Sequence, residues 1–157
     1  MAKSIYLINP RADFPNYYSA EVVEHLGFTP AAFIADLVIT TVAAFVPDDF
    51  EVTLCDEHLA PVDFDSPAEI IGITGKSSQV GRMIELAQAF RERGKIVMIG
   101  GPYASLSPEV VRPYADILVH GEIESLAPQL FADLRDDRWQ ADYFGGQPDL
   151  SQSPMPR

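Results

Sequence analysis

Four short runs in this chain are apolar without a break and rich in β-branched residues. They occupy positions 5–8 (Ile-Tyr-Leu-Ile), 70–73 (Ile-Ile-Gly-Ile), 96–99 (Ile-Val-Met-Ile) and 117–119 (Ile-Leu-Val). A strand with one wet face alternates in polarity. A strand that does not alternate is covered on both faces, as in parallel sheets. Residues 51–55 do alternate, with Val52 and Leu54 on one side, and read as a fifth strand nearer an edge. Helical segments lie between the runs. Thr29 and Pro30 supply a cap and a first turn for a helix reaching Val46, where Pro47 stops it. Being apolar almost all round, that helix must be covered on more than one side. Ser77 or Ser78 can cap a second helix carrying Val80, Met83, Ile84, Ala87 and Phe90 at helical spacing, with Gly94 at its end. Residues 108–114 and 125–134 make two more.

This alternation predicts an α/β protein with a five-stranded, mainly parallel sheet and helices on both faces. It is a Rossmann-like or flavodoxin-like three-layer α/β/α sandwich. One domain suits 157 residues. Its expected span is 1–137, with 138–157 a linker-like tail leading toward something outside this chain.

Charge narrows the function. Eleven Lys and Arg stand against 23 Asp and Glu, a net of −12. Between Arg11 and Lys76 there are twelve acids and no Lys or Arg, so that stretch holds the whole imbalance. Such a chain lacks the cations that neutralise nucleic-acid phosphates or an anionic membrane. The longest apolar stretch, residues 31–46, falls short of the ~20 residues that cross a bilayer, and a cytoplasmic location is expected. The single cysteine, Cys55, excludes an internal disulfide, a four-Cys zinc site or an iron–sulfur cluster held wholly by this chain.

Open parallel sheets bind ligands at the C-terminal ends of their strands. After the first strand comes Asn9-Pro10-Arg11-Ala12-Asp13, with no glycine until Gly27. That disfavours a dinucleotide turn of the G-x-G-x-x-G kind, and the lone Ser19 is a poor FMN phosphate loop. A response regulator would need paired acids here and an Asp where Thr74 stands. The third strand is followed by Thr74-Gly75-Lys76-Ser77, the fourth by Gly100-Gly101-Pro102-Tyr103 and the fifth by His120-Gly121-Glu122. A tight βα turn explains each glycine singly. Glycine at three adjacent strand ends clears a slot for something flat.

Taken together, Ile-Thr-Gly at 73–75, Ile-Gly-Gly-Pro-Tyr at 99–103 and Val-His-Gly-Glu at 119–122 resemble the cobalamin-binding domain of B12-dependent radical SAM enzymes. Ile-Asn-Pro at 8–10 and Leu-Cys-Asp-Glu at 54–57 fit the same pattern. More loosely, the chain is similar to the branch containing hopanoid methylases. The resemblance implies a corrinoid whose nucleotide tail enters the slot. Thr74, Gly75, Lys76 and Ser77 would flank the tail, Gly100, Gly101, Pro102 and Tyr103 would lie beneath it, and Gly121 and Glu122 beyond. The ring would lie near Asn9 and Pro10.

Two departures qualify it. Mutase-type cobalamin domains carry D-x-H-x-x-G after the first strand, with the His on cobalt. Here Asp56-Glu57-His58 follows the second strand and has Pro61 at the glycine's place, so His58 reads as an exposed loop residue and no metal ligand is assigned. The C-x-x-x-C-x-x-C motif of a radical SAM barrel is also missing. The S-adenosylmethionine and the 4Fe–4S cluster therefore belong to a partner barrel, in cis or in trans, and no intrinsic catalysis is expected. The acidic stretch could dock a basic reductase. The competing readings are a flavodoxin-like electron carrier or nucleotide-binding domain, and an interaction domain without a ligand.

Overall fold

The computed structural model describes residues 3–14, 25–27 and 36–156. Its elements are β1 (Lys3–Asn9), α1 (Val38–Phe45), β2 (Phe50–Asp56), β3 (Ile70–Thr74), α2 (Val80–Glu92), β4 (Ile96–Gly100), α3 (Pro102–Leu106), α4 (Pro108–Val111), β5 (Ile117–His120), α5 (Ile123–Arg135) and β6 (Asp142–Phe144). The strands form one sheet in the order β2-β1-β3-β4-β5-β6, and every neighbouring pair is parallel.

Strict alternation of side chains splits the sheet into two apolar faces. Tyr6, Ile8, Ile71, Ile73, Val97, Ile99 and Leu118 pack with Met83, Leu86, Ala87 and Phe90 of α2. Ile5, Leu7, Ile70, Met98, Ile117 and Val119 pack with Ile39 and Ala43 of α1 and with Leu126, Leu130, Phe131 and Leu134 of α5. This is the expected α/β sandwich. Both faces of β3 are buried, which is why its sequence shows no alternation.

The sheet has six strands, not five. β6 comes from the stretch expected to be linker-like. Three residues are too few to show a period, and tertiary contacts decide the matter. Tyr143 is 3% exposed; its hydroxyl donates to Asp133 at 2.8 Å and accepts from the Gln140 amide at 3.0 Å. Burial pushes the phenol pKa up to about 12, so it stays a neutral donor. β2 lies at the opposite edge, as its alternation predicts.

Among the described residues the first helix begins at Val38, with Asp36 and Leu37 ahead of it outside the helix; it stops at Phe45, and Val46, before Pro47, is extended. Thr29 and Pro30 lie outside the described residues. At α2 neither Ser77 nor Ser78 caps the helix. The carboxylate of Asp13, from the loop after β1, accepts from the amides of Gly81 (2.7 Å) and Arg82 (2.8 Å). A full negative charge is a stronger acceptor at a helix N-terminus than a hydroxyl. Gly94 does end the helix, at φ +72°.

The acidic stretch is partly neutralised by cations from outside it. Lys76 pairs with Asp36 (2.8 Å), Arg82 with Glu57 (2.5 Å) and Arg135 with Asp49 (2.6 Å). Arg82 holds Glu57 through both carboxylate oxygens, joining α2 to the end of β2. Burial pushes the Glu57 carboxyl up, but the hydrogen bonds and charges of Arg82 and Arg11 together outweigh it and hold its pKa below the ordinary value. These pairs leave less of the stretch for a basic partner than the sequence alone implied.

Candidate functional site

A cleft of about 490 Å³ opens at the C-terminal ends of the central strands, on the sheet face covered by α1 and α5. Its volume lies in the range of small-molecule sites, and its place is where open α/β sheets bind ligands. The floor is built by register. Leu7, Gly72 and Met98 are neighbours across β1, β3 and β4. Gly72 has no Cβ because one there would sit 2.5 Å from Leu7 Cδ2 and 3.3 Å from Met98 Cε. One wall is Leu37 and the α1 residues Val38, Thr41 and Val42. The other is the β4–α3 turn and the start of α5, with Gly100, Gly101, Ser105, Glu122 and Glu124.

Of the residues expected to share a site, Thr74, Gly100, Gly101, Pro102, Gly121 and Glu122 line this cleft. The others do not. Asn9 is 2% exposed, and its Oδ1 accepts from Gln79 Nε2 at 3.0 Å. The Pro10 carbonyl accepts from the same amide group. Gly75 faces α2, where a Cβ would lie 2.3 Å from Met83 Sδ. Lys76 turns to Asp36, and Ser77 is an exposed residue opening the 3-10 turn Ser77–Gln79. Tyr103 packs on the opposite core, with the α2 side chains.

The strand-end glycines therefore have separate uses. A Cβ on Gly121 would lie 2.7 Å from the Gly145 carbonyl, so Gly121 lets the chain after β6 approach. A Cβ on Gly100 would make only an ordinary 3.4 Å contact with Val119. Gly100 alone of the three leaves its space to the cleft.

Among the described residues, two side chains that line the cleft carry a buried polar atom without a partner. Thr74 is 8% exposed, and its Oγ1 makes no hydrogen bond; neither does the shielded Oε2 of Glu124. Among the described residues the cleft lining contains no Lys, Arg or His. Glu124, Gly72 and the α1 wall escaped the sequence reading. An acid one turn into a helix and a glycine inside an apolar strand were the available signals, and both are common without a ligand.

His58 is not an exposed residue. It is half-buried, with Nδ1 2.9 Å from Asp56 Oδ1, while Glu57 is engaged by Arg82. Burial raises the Asp56 carboxyl, yet its hydrogen bonds to His58 leave the net shift downward. Cys55 is buried, and burial raises its thiol pKa.

The structure is an α/β domain with a cleft at its strand ends, and similar proteins narrow the class. No protein-family model matches the chain. It is 31% identical over 108 residues to bacteriochlorophyllide d C-8(2)-methyltransferase of Chlorobaculum tepidum, covering 68% of this chain and 24% of that protein. It is 31% identical over 150 residues to an uncharacterised methyltransferase of Synechocystis, covering 91% and 27%. To the hopanoid C-2 methylase of Rhodopseudomonas palustris it is 29% identical over 109 residues, covering 68% and 20%. The chain thus spans about a quarter of the length of the curated relatives it matches. It is related to a segment of methyltransferases. No helix among the described residues is long and apolar enough to cross a membrane.

Proposed function

We propose that this chain is the cobalamin-binding module of a B12-dependent radical SAM enzyme of methyltransferase type. The observation that carries the reading is the cleft itself: apolar floor, open glycine at Gly100, and an unpaired hydroxyl on Thr74. These residues fit the planar base and nucleoside of a cobalamin tail, which needs apolar contact with a few polar partners. Thr74, Gly100, Gly101 and Pro102 would hold the tail, and Leu7, Gly72 and Met98 would support it. When bound, the corrinoid supplies a cobalt that can carry a methyl group. This chain's residues bind and shield it. Radical chemistry, with S-adenosylmethionine and the 4Fe–4S cluster, belongs to a barrel joined in cis or in trans. The names of the relatives support the methyl-transfer part of the reading.

A flavodoxin-like or nucleotide-binding role fits less well, because the cleft lining among the described residues carries carboxylates and no cation for a phosphate. The test is retention. Purified chain is incubated with hydroxocobalamin or with FMN and then desalted. A corrinoid spectrum in the protein fraction supports the proposal; a colourless fraction, or retained flavin instead, overturns it.

A further inference from the structure

Lys76 follows the end of β3 and stands outside the cleft lining, yet its position is firmly set. Its backbone amide donates to Gln79 Oε1 at 2.8 Å. Gln79 is 4% exposed, and its Nε2 donates to Asn9 Oδ1 at 3.0 Å and to the Pro10 carbonyl. The base of Lys76 is thereby tied to the end of β1 as well as to β3. From that base its ammonium donates to Asp36 Oδ2 at 2.8 Å. The other oxygen of the same carboxylate, Oδ1, accepts from the Val38 amide at 3.1 Å and so holds the first turn of α1.

Helix α1 depends on such ties. Its eight residues are too few to hold a helix in water without tertiary contacts. Ile39 and Ala43 are its buried residues, while Val38, Thr41 and Val42 line the cleft. A wall packed on one side and open on the other can lean outward. The ion pair spans the corner where this wall meets the end of β3, since Leu37 and Thr74, both lining the cleft, lie just inside it along the chain.

We infer that Asp36 and Lys76 form a clasp that governs entry to the cleft. Closed, it holds the α1 wall to the sheet; opened, it lets the wall lean away and a ligand pass. Because both residues stand outside the lining, the clasp sets the rates of ligand exchange and leaves affinity alone. Applied to a corrinoid, the inference rests on the proposed function; as a property of the cleft it does not.

The test introduces Met98→Cys, so that two cysteines report from opposite faces of the sheet. Met98 is a buried residue of the cleft floor, and Cys55 belongs to the other core. Labelling of each by iodoacetamide is followed by peptide mass. Adding Lys76→Met should speed labelling at 98 about threefold, the scale of an exposed ion pair, and leave Cys55 unchanged. Asp36→Asn, which keeps an oxygen for the Val38 amide, should do the same. Salt at roughly 1 M should speed labelling at 98 in the chain with the clasp intact and not in the two variants, because it screens the pair. With Met98 restored, Lys76→Met should speed both uptake and release of hydroxocobalamin about threefold, at unchanged affinity. Unchanged labelling at 98, or faster labelling at both cysteines, overturns the inference. Faster labelling with unchanged corrinoid rates overturns it too, and so does a loss of corrinoid affinity, which would make Lys76 a ligand contact. Failure of wild type to bind hydroxocobalamin overturns the function proposal, and the labelling rates still decide the clasp.

Discussion

A Cβ on Gly101 would lie 2.3 Å from Thr74 Oγ1, and Gly101 stands at φ +89°. The β4–α3 turn can therefore close over the end of β3 only with glycine at 101. Gly101→Ala combines a left-handed backbone with a collision, and should cost about 2 kcal/mol or more of stability. Urea unfolding monitored by Trp139 fluorescence measures it. A change below about 0.5 kcal/mol would contradict the packing described. Gly101 is consequently a poor site for testing ligand binding, although the sequence makes it look equivalent to Gly100.

Glu57 and Arg82 tie the end of β2 to α2, with the Glu57 side chain only 7% exposed. Glu57→Gln should destabilise by about 1–3 kcal/mol near neutral pH. The sign with pH follows from the lowered carboxyl pKa. Its contribution is complete above the ordinary value of 4.5 and is lost as pH falls through the lower folded value. Urea midpoints between pH 7 and pH 3 should fall more steeply for wild type than for the variant. Parallel curves would show that ionisation of Glu57 contributes nothing to stability.

Burial raises the Cys55 thiol pKa, and Tyr6 and the turn after β2 cover it. The thiolate is the reactive form. At pH 8 the native chain should react with a thiol reagent at least about 100-fold more slowly than the chain in urea. Equal rates would mean that the β2 edge opens freely.

Removing residues 138–157 deletes β6 and the Tyr143 anchor that covers part of the α5 core. A chain ending at Asp137 should lose about 2 kcal/mol or more, from one buried aromatic and its hydrogen bonds. Tyr143→Phe should cost about 1 kcal/mol. Unchanged stability on truncation would restore the reading of this stretch as a simple linker.

The sheet was legible wherever burial is symmetrical. Ile70, Ile71 and Ile73 have no polar neighbour to hide from, so the run itself reports two covered faces. β6 was not legible, because Tyr143 is fixed by Asp133, and neither is visible to the other along the chain. The same holds at α2: Ser77 and Ser78 are local candidates for a cap, while Asp13 arrives from a loop 68 residues away in sequence. In the cleft, Thr74 and Gly100 were legible as strand-end residues. Gly75 and Tyr103 occupy the same motifs but face the other side, since side chains alternate across a strand and a motif carries no face. Glu124 became visible only through its unpaired oxygen.

The most direct test of the central claim sets wild type beside Gly100→Leu in a hydroxocobalamin titration. A Cβ at 100 makes only ordinary contacts, with the Val119 side chain at 3.4 Å and its carbonyl at 3.8 Å, and a leucine is expected to extend into the cleft, so the fold should persist with an unchanged circular dichroism spectrum. The account predicts saturable corrinoid binding by wild type and a loss of about 100-fold or more in the variant, the scale of a steric block in a packed site. Equal binding by the two proteins, or none by wild type, would contradict it.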